Sequence, residues 1–266
     1  MKIMILADVH IRTRVEEHRR IRTMEALQTA FSNVPCDLAV FLGDLMHGPD
    51  YGDDRASFLH DLKNALDTTG STPFAFVFGN HDAESTVTKE EILSVLGSYP
   101  NSLTTGENYV LKAGGETLLF IDSGSEYDGE ESHYDIVRPP VLQWAKEQIA
   151  GEQAILFQHI IIPDIIAVTE TAADGSCRFK EGFSYTGVLK ERPCPPDINT
   201  GELEILAPYL KAMVFGHDHV NSFECMLGGV KIIQCAAASM SGYEYPQAPT
   251  VKLLDTETMT TEIIPV

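Results

Sequence analysis

Five short apolar runs, each ending abruptly in a polar cluster, constrain this chain more than any other feature. They are KIMILAD (2–8), DLAVFLGD (37–44), FAFVFGNHD (74–82), AILFQH (154–159) and AMVFGHDH (212–219). Such near-continuous runs read as strands buried on both faces, in sheets covered by helices or by a second sheet. Between them, apolar Ile21, Met24, Leu27 and Phe31 recur at helical spacing within 14–31. Further helices are predicted over 56–66, 89–96, 140–149 and 202–210, with Pro140 suited to a first turn. Strands alternating with helices imply an α/β domain. The stretches 222–227, 230–236, 250–255 and 260–264 read as strands joined by tight turns, including Gly228-Gly229. They predict a second, largely antiparallel sheet. The segment 164–199 carries Gly, Pro and Cys without periodicity and reads as a long loop, a candidate lid. With no repeat and no linker, 1–266 reads as one domain.

The clusters carry the chemistry. Polar groups at the carboxyl ends of buried strands are where open α/β sheets build their sites. DxH supplies Asp8 and His10, which strand alternation would point the same way; GD supplies Asp44. GNHD supplies Asn80, His81 and Asp82, QH supplies His159, and GHDH supplies His217 and His219. A lone Asp-x-His is usually a turn, and a lone Gly-Asp means less still. All five together, in order and each after an apolar run, are a specific signal. Hard oxygens mixed with imidazole nitrogens suit Mn, Fe, Zn or Co better than a calcium site or a thiolate zinc finger. The donors outnumber the needs of one tetrahedral ion, and two ions sharing a carboxylate would use them fully. Gly43, Gly79 and Gly216 each precede a ligand, where positive φ or close backbone approach is expected.

Bulk properties narrow the partners. Hydrophobic residues make up 44% and charged residues 22%, enough for a native core. No apolar run approaches the roughly 20 residues of a membrane span, so no membrane association is expected. The apolar start ends in Asp8 and His10 with no cleavage signal, and reads as a first strand. Five cysteines without a CxxC pair read as reduced thiols in a cytoplasmic protein. A net charge of −20 repels polyanions, so long nucleic acid is not an expected partner. A small phosphorylated substrate or a phosphoprotein stays compatible, because bound cations reverse the local field.

The ordered set DxH, GD, GNHD, H and GHxH resembles the calcineurin-like metallophosphoesterase superfamily, from Asp8 to His219. The resemblance implies a four-layer α-β-β-α sandwich with two mixed sheets. It places Asp8, His10 and His219 on one metal, Asn80, His159 and His217 on the other, and Asp44 between them. Two divalent or mixed-valence ions (Mn, Fe or Zn) would activate a bridging water or hydroxide against a phosphate monoester. His81 would assist the leaving group, and Asp82 would hold the His81 imidazole. A phosphodiesterase on the same site is the alternative, and a non-catalytic metal-binding scaffold is the weaker third reading.

GHDHVNSFE, YDIVRPPVLQWAKEQ and HIIIPD look like a branch of small enzymes similar to purple acid phosphatases. Those place Tyr three residues after the bridging Asp; here His47 occupies that position, so no purple charge-transfer band is expected. His47 stays open as an added ligand, a donor behind the ligands, or a surface histidine. The same resemblance suggests that the loop with Tyr127, Asp128, His133, Tyr134, Asp135 and Arg138 borders the site, where Arg138 would fork phosphate oxygens. Arg12, Arg14, Arg19, Arg20 and Arg22 read as a solvated helix face, and Trp144 as core.

Overall fold

The computed structural model describes residues 1–241 and 248–266. In chain order the elements are β1 (Lys2–Leu6), α1 (Glu17–Asn33), β2 (Leu38–Leu42), α2 (Arg55–Asp67), β3 (Phe74–Val77), α3 (Lys89–Leu96), β4 (Tyr109–Ala113) and β5 (Glu116–Ile121). They continue as α4 (Pro139–Gln148), β6 (Ala154–Gln158), β7 (Thr169–Thr171), β8 (Cys177–Phe179), β9 (Tyr185–Val188), α5 (Glu202–Leu206) and β10 (Leu210–Phe215). The last strands are β11 (Ser222–Leu227), β12 (Val230–Gln234), β13 (Thr250–Asp255) and β14 (Thr260–Pro265).

Two mixed sheets form, ordered β14-β13-β1-β2-β3 and β4-β5-β6-β10-β12-β11-β9. They face each other across Ile3, Ile5, Val40 and Val77 from the first sheet and Leu118, Phe120, Phe157 and Val214 from the second. The outer face of the first sheet packs on α1, α2 and α3 through residues such as Leu27, Leu62 and Ile92. That of the second packs on α4 and α5 through Leu142, Ala145 and Leu206. This is the four-layer α-β-β-α order. Every residue of β2 and β6 is buried, which is why their sequences, Gln158 apart, are apolar without alternation.

Local chemistry explains the helix boundaries. Thr88 and Glu91 form a reciprocal capping box at the start of α3, and Asp54 accepts the Ser57 N–H at the start of α2. Pro139 and Pro140 open α4, where a missing N–H costs nothing. The helix expected over 202–210 stops at Leu206 and tightens into a 3₁₀ turn, Ala207–Tyr209, around Pro208.

Two expectations are corrected. The four final strands do not make a sheet of their own: β11 and β12 extend the larger sheet, with β12 parallel to β10, while β13 and β14 pair onto β1. The segment 164–199 is also not an irregular loop throughout. It contains a 3₁₀ turn (Pro163–Val168), the β7–β8 hairpin, and β9, which pairs with β11 at the sheet edge. Because β9 is exposed along its whole length, its sequence has no apolar face to betray a strand.

Candidate metal centre

The strands stop before the predicted ligands, because the ligand residues themselves leave extended geometry. Asp8, His10, Asp44 and His217 have φ of 51°, 48°, 51° and 71°. Together with Met259 they are the positive-φ non-glycine residues of the described chain. Left-handed backbone costs a residue with a Cβ of order 1 kcal/mol or more, and its concentration here marks a built site. Asp8 and His10 therefore converge through left-handed turns rather than by strand alternation. Gly43, at φ +82°, lies so close to His159 that a Cβ would come 2.3 Å from its Nδ1. A Cβ on Gly79 would meet Asp44 Oδ1 at 2.2 Å, so both turns exclude a side chain.

The result is one buried cluster fed by both sheets. Asp8, His10, Asp44, Asn80 and His81 follow β1, β2 and β3; His159, His217 and His219 follow β6 and β10. Asp8, His10 and His219 bring ligand atoms within 4.8 Å of one another, and so do Asp8, Asp44 and His159. Asp44 Oδ2 lies between the groups, 3.6 Å from His10 Nε2 and 3.3 Å from His159 Nε2. Asp8 Oδ1 also reaches both, 3.5 Å from His219 Nε2 and 3.8 Å from His159 Nε2. His10 Nε2 and His219 Nε2 face each other at 2.9 Å, and the His217 ring stands 5.3 Å from that of His159.

The remaining atoms of these side chains are spoken for, which aims the free ones inward. His159 Nδ1–H donates to the Leu42 carbonyl, Asp8 Oδ2 accepts from His217 N–H, and Asp44 Oδ1 accepts from His81 N–H. Asp8 Oδ1, Asp44 Oδ2, Asn80 Oδ1 and His159 Nε2 are left buried without a hydrogen-bond partner among the described residues. Orphaned donor atoms at such density are costly unless a cation satisfies them. The donor set therefore fits a metal pair.

Protonation agrees. Burial holds the His10 imidazole well below its usual range, helped by His219. Burial does the same to His217, with His159, and it holds His219 down at about 4. These are neutral imidazoles, the form that ligates. Burial pushes Asp8 up to about 8 against the pull of His159. His159 loses to burial but gains more from Asp44 and Asp8, and is pushed up to about 10. Two carboxylates thus compete for positive charge, which a bound cation provides.

The remaining candidates fall into place individually. His81 Nδ1 meets Glu84 Oε2 at 2.5 Å. Burial opposes the charge of His81, but that hydrogen bond and the fields of Asp44 and Glu84 prevail and raise its pKa. Asp82 does not hold His81, contrary to expectation. Its carboxylate is buried beneath the turns and accepts the backbone N–H groups of Asp44, Met46 and Gly79. The partner of His81, Glu84, was missed in the sequence; its only signal is the His-x-x-Glu spacing. His47 is half-buried, with Nδ1 3.3 Å from His10 Nδ1 and its ring 4.5 Å from that of His81. It stands behind His10, on the opposite side from His219. Arg138 is turned to Asp135 and lies over the Tyr127 ring. Tyr134, from the same loop, meets the His217 ring edge-on at 4.5 Å. Arg12 pairs with Asp50 and Arg22 with Glu25, while Arg19 is not on a solvated face: it is buried and donates to the Met240 carbonyl. Trp144 packs against the outer core of the larger sheet. A groove of about 630 Å³ lies between α1 and α2 and includes none of the cluster residues; donor chemistry, not volume, locates the site.

Comparisons with known proteins follow the same line. The chain is 26% identical over 266 aligned residues to the Arabidopsis thaliana protein named "Probable inactive purple acid phosphatase 14", covering 84% of this chain and 63% of that one. It is 26% identical to "Probable inactive purple acid phosphatase 28" of the same plant, over 79% and 60% of the two chains. The chain thus spans less than two thirds of the length of these relatives. A dimetal phosphatase structure from Danio rerio superposes with a TM-score of 0.62 at 14% identity, covering 100% of this chain and 98% of that one, which establishes a common fold. No helix among the described residues is long and apolar enough to cross a membrane. The profile described as "Calcineurin-like phosphoesterase" matches residues 1–221, and with the Asp/His groups in place the chain belongs to that family.

Proposed function

We propose that this chain is a dinuclear-metal phosphoesterase that hydrolyses phosphate monoesters, taking a small phosphorylated molecule or a phosphoprotein. The observation that carries the reading is the inward set of partnerless atoms, Asp8 Oδ1, Asp44 Oδ2, Asn80 Oδ1 and His159 Nε2, with His81 beside it. Asp8, His10 and His219 would hold one ion, Asn80, His159 and His217 the other, with Asp44 between. Two such ions supply an acidified water and charge compensation for the phosphate oxygens. The protein does the rest. His81, whose proton affinity Glu84 raises, would hold a proton for the departing oxygen. Asp82 fixes the two turns that present Asp44 and Asn80. His47 braces the back of His10. The preference for monoesters rests on the likeness to phosphatases by name.

The test is hydrolysis of para-nitrophenyl phosphate against bis-para-nitrophenyl phosphate by protein loaded with Mn, Zn or Fe. Faster turnover of the monoester supports the proposal; a preference for the diester replaces it with a phosphodiesterase. His81→Ala should retain metal by elemental analysis and lose about 10²- to 10⁴-fold in turnover. The scaffold reading is favoured by one observation, the word "inactive" in the relatives' names. Metal-loaded protein that turns over neither ester would establish it.

A further inference from the structure

A cleft of about 400 Å³ lies beside the metal centre, walled by His133, Tyr134, Ile166, Arg192, Pro193 and Pro196. Its volume falls in the range of small-molecule sites. Tyr134 joins it to the centre, because one edge of that ring rests on His217. The Tyr134 ring is half-buried between the two.

The opposite wall is welded to the ligand-bearing loop. Asp218, between His217 and His219, accepts the Cys194 N–H, and Asn221 accepts those of Lys190 and Glu191. At its other end Asp197 accepts the His133 N–H and donates its own N–H to Ser132 Oγ. The cleft and the metal ligands thus form one rigid arrangement, as a specificity pocket requires.

Its lining selects a chemistry. Pro193, Pro195 and Pro196 offer flat apolar rings and no N–H, a surface that suits the face of a planar ring better than a chain of hydroxyls. The exposed Arg192 guanidinium has no hydrogen-bond or ion-pair partner among the described residues, a planar cation open to stacking. We infer that the cleft receives the alcohol part of the ester and that this alcohol carries a planar aromatic or heteroaromatic ring, stacked on Arg192 beside Tyr134 and His133. The inference rests on the phosphoesterase reading for the ester, but not for the ring.

Binding of free rings separates the two. Zn-loaded protein is titrated with adenosine, with N-acetyltyrosine amide and with ribose, read by calorimetry and by NMR shifts of His133 and Tyr134. Ring-bearing probes should bind, ribose should not, and Arg192→Ala should weaken ring binding at least about 5-fold, the scale of one stacking contact. With metal-loaded protein, kcat/KM for adenosine 5′-monophosphate or O-phosphotyrosine relative to glycerol 3-phosphate should fall by a similar factor in Arg192→Ala, through KM. The better of the two ring esters identifies the ring source. Equal binding of ribose, or ring binding indifferent to Arg192→Ala, overturns the inference. Ring binding without hydrolysis of any ester upholds the cleft and removes the catalytic reading instead.

Discussion

Glu84 turns its carboxylate onto His81 Nδ1, and Ser125 Oγ donates to its other oxygen, so the imidazole is held at one fixed angle beside Asp44. A group in this position raises the proton affinity of His81 and aims Nε2 away from itself. Glu84→Gln keeps the shape and removes the charge. The raised pKa of His81 should then fall, and the alkaline limb of kcat should move to lower pH as the protonated imidazole is lost earlier. If His81 protonates the departing oxygen, turnover of glycerol 3-phosphate, a poor leaving group, should drop about 10-fold or more. Para-nitrophenyl phosphate, whose leaving group needs little help, should suffer less. Equal losses on both esters, with metal content intact, would show that Glu84 acts only through structure. Asp82 illustrates how sequence misleads at this scale: adjacency to His81 suggested a contact. The chain instead sends residue 82 under the turn and brings residue 84 back over it, which only the backbone path reveals.

Among the elements, β3 carries the GNHD turn yet is an edge strand of its sheet. Its outward backbone groups are not left bare. The Tyr109 hydroxyl, from β4 of the other sheet, donates to the Phe76 carbonyl at 2.9 Å and accepts its N–H at 3.1 Å. The Tyr109 ring stacks on Phe120 with centroids 4.5 Å apart. With Phe74 bonded to the Asn101 carbonyl and the Leu103 N–H, one phenol thus completes the strand edge inside the sandwich. Tyr109→Phe keeps the stacking and strands both backbone groups, so it should lower unfolding free energy by about 1–3 kcal/mol in urea titration. A loss below about 0.5 kcal/mol would mean that the edge finds other partners. Elements of this kind were the illegible part of the sequence. The strands β1, β2, β3, β6 and β10 announce themselves because burial on both faces demands unbroken apolar runs. The short hairpin β7–β8 and the exposed edge β9 bury too little to leave such a record. The pairing of β13 with β1, across most of the chain, is a long-range choice that no local pattern encodes.

For the molecule as a whole, the cluster is the seam between the sheets. His217 N–H reaches back to Asp8, and His159 to the Leu42 carbonyl, so ligands from the two sheets are bonded to one another before any ion is considered. Ions that bind this seam bind only the folded chain, and by mass action must stabilise it by about 2.7 kcal/mol at a hundredfold excess over Kd. For a domain of this size that corresponds to roughly 5–10 °C in Tm. A net charge of −20 complicates the reading, because any divalent cation relieves self-repulsion in so acidic a chain. The two effects separate in Asp44→Asn, which removes one charge of many but breaks the shared position. The intact chain should gain several degrees with Mn or Zn at constant ionic strength and lose them to chelator. Asp44→Asn should keep only the small shift that Mg or added NaCl also produces. Equal shifts in both proteins would reduce the metal effect to screening and leave the buried carboxylates without their explanation.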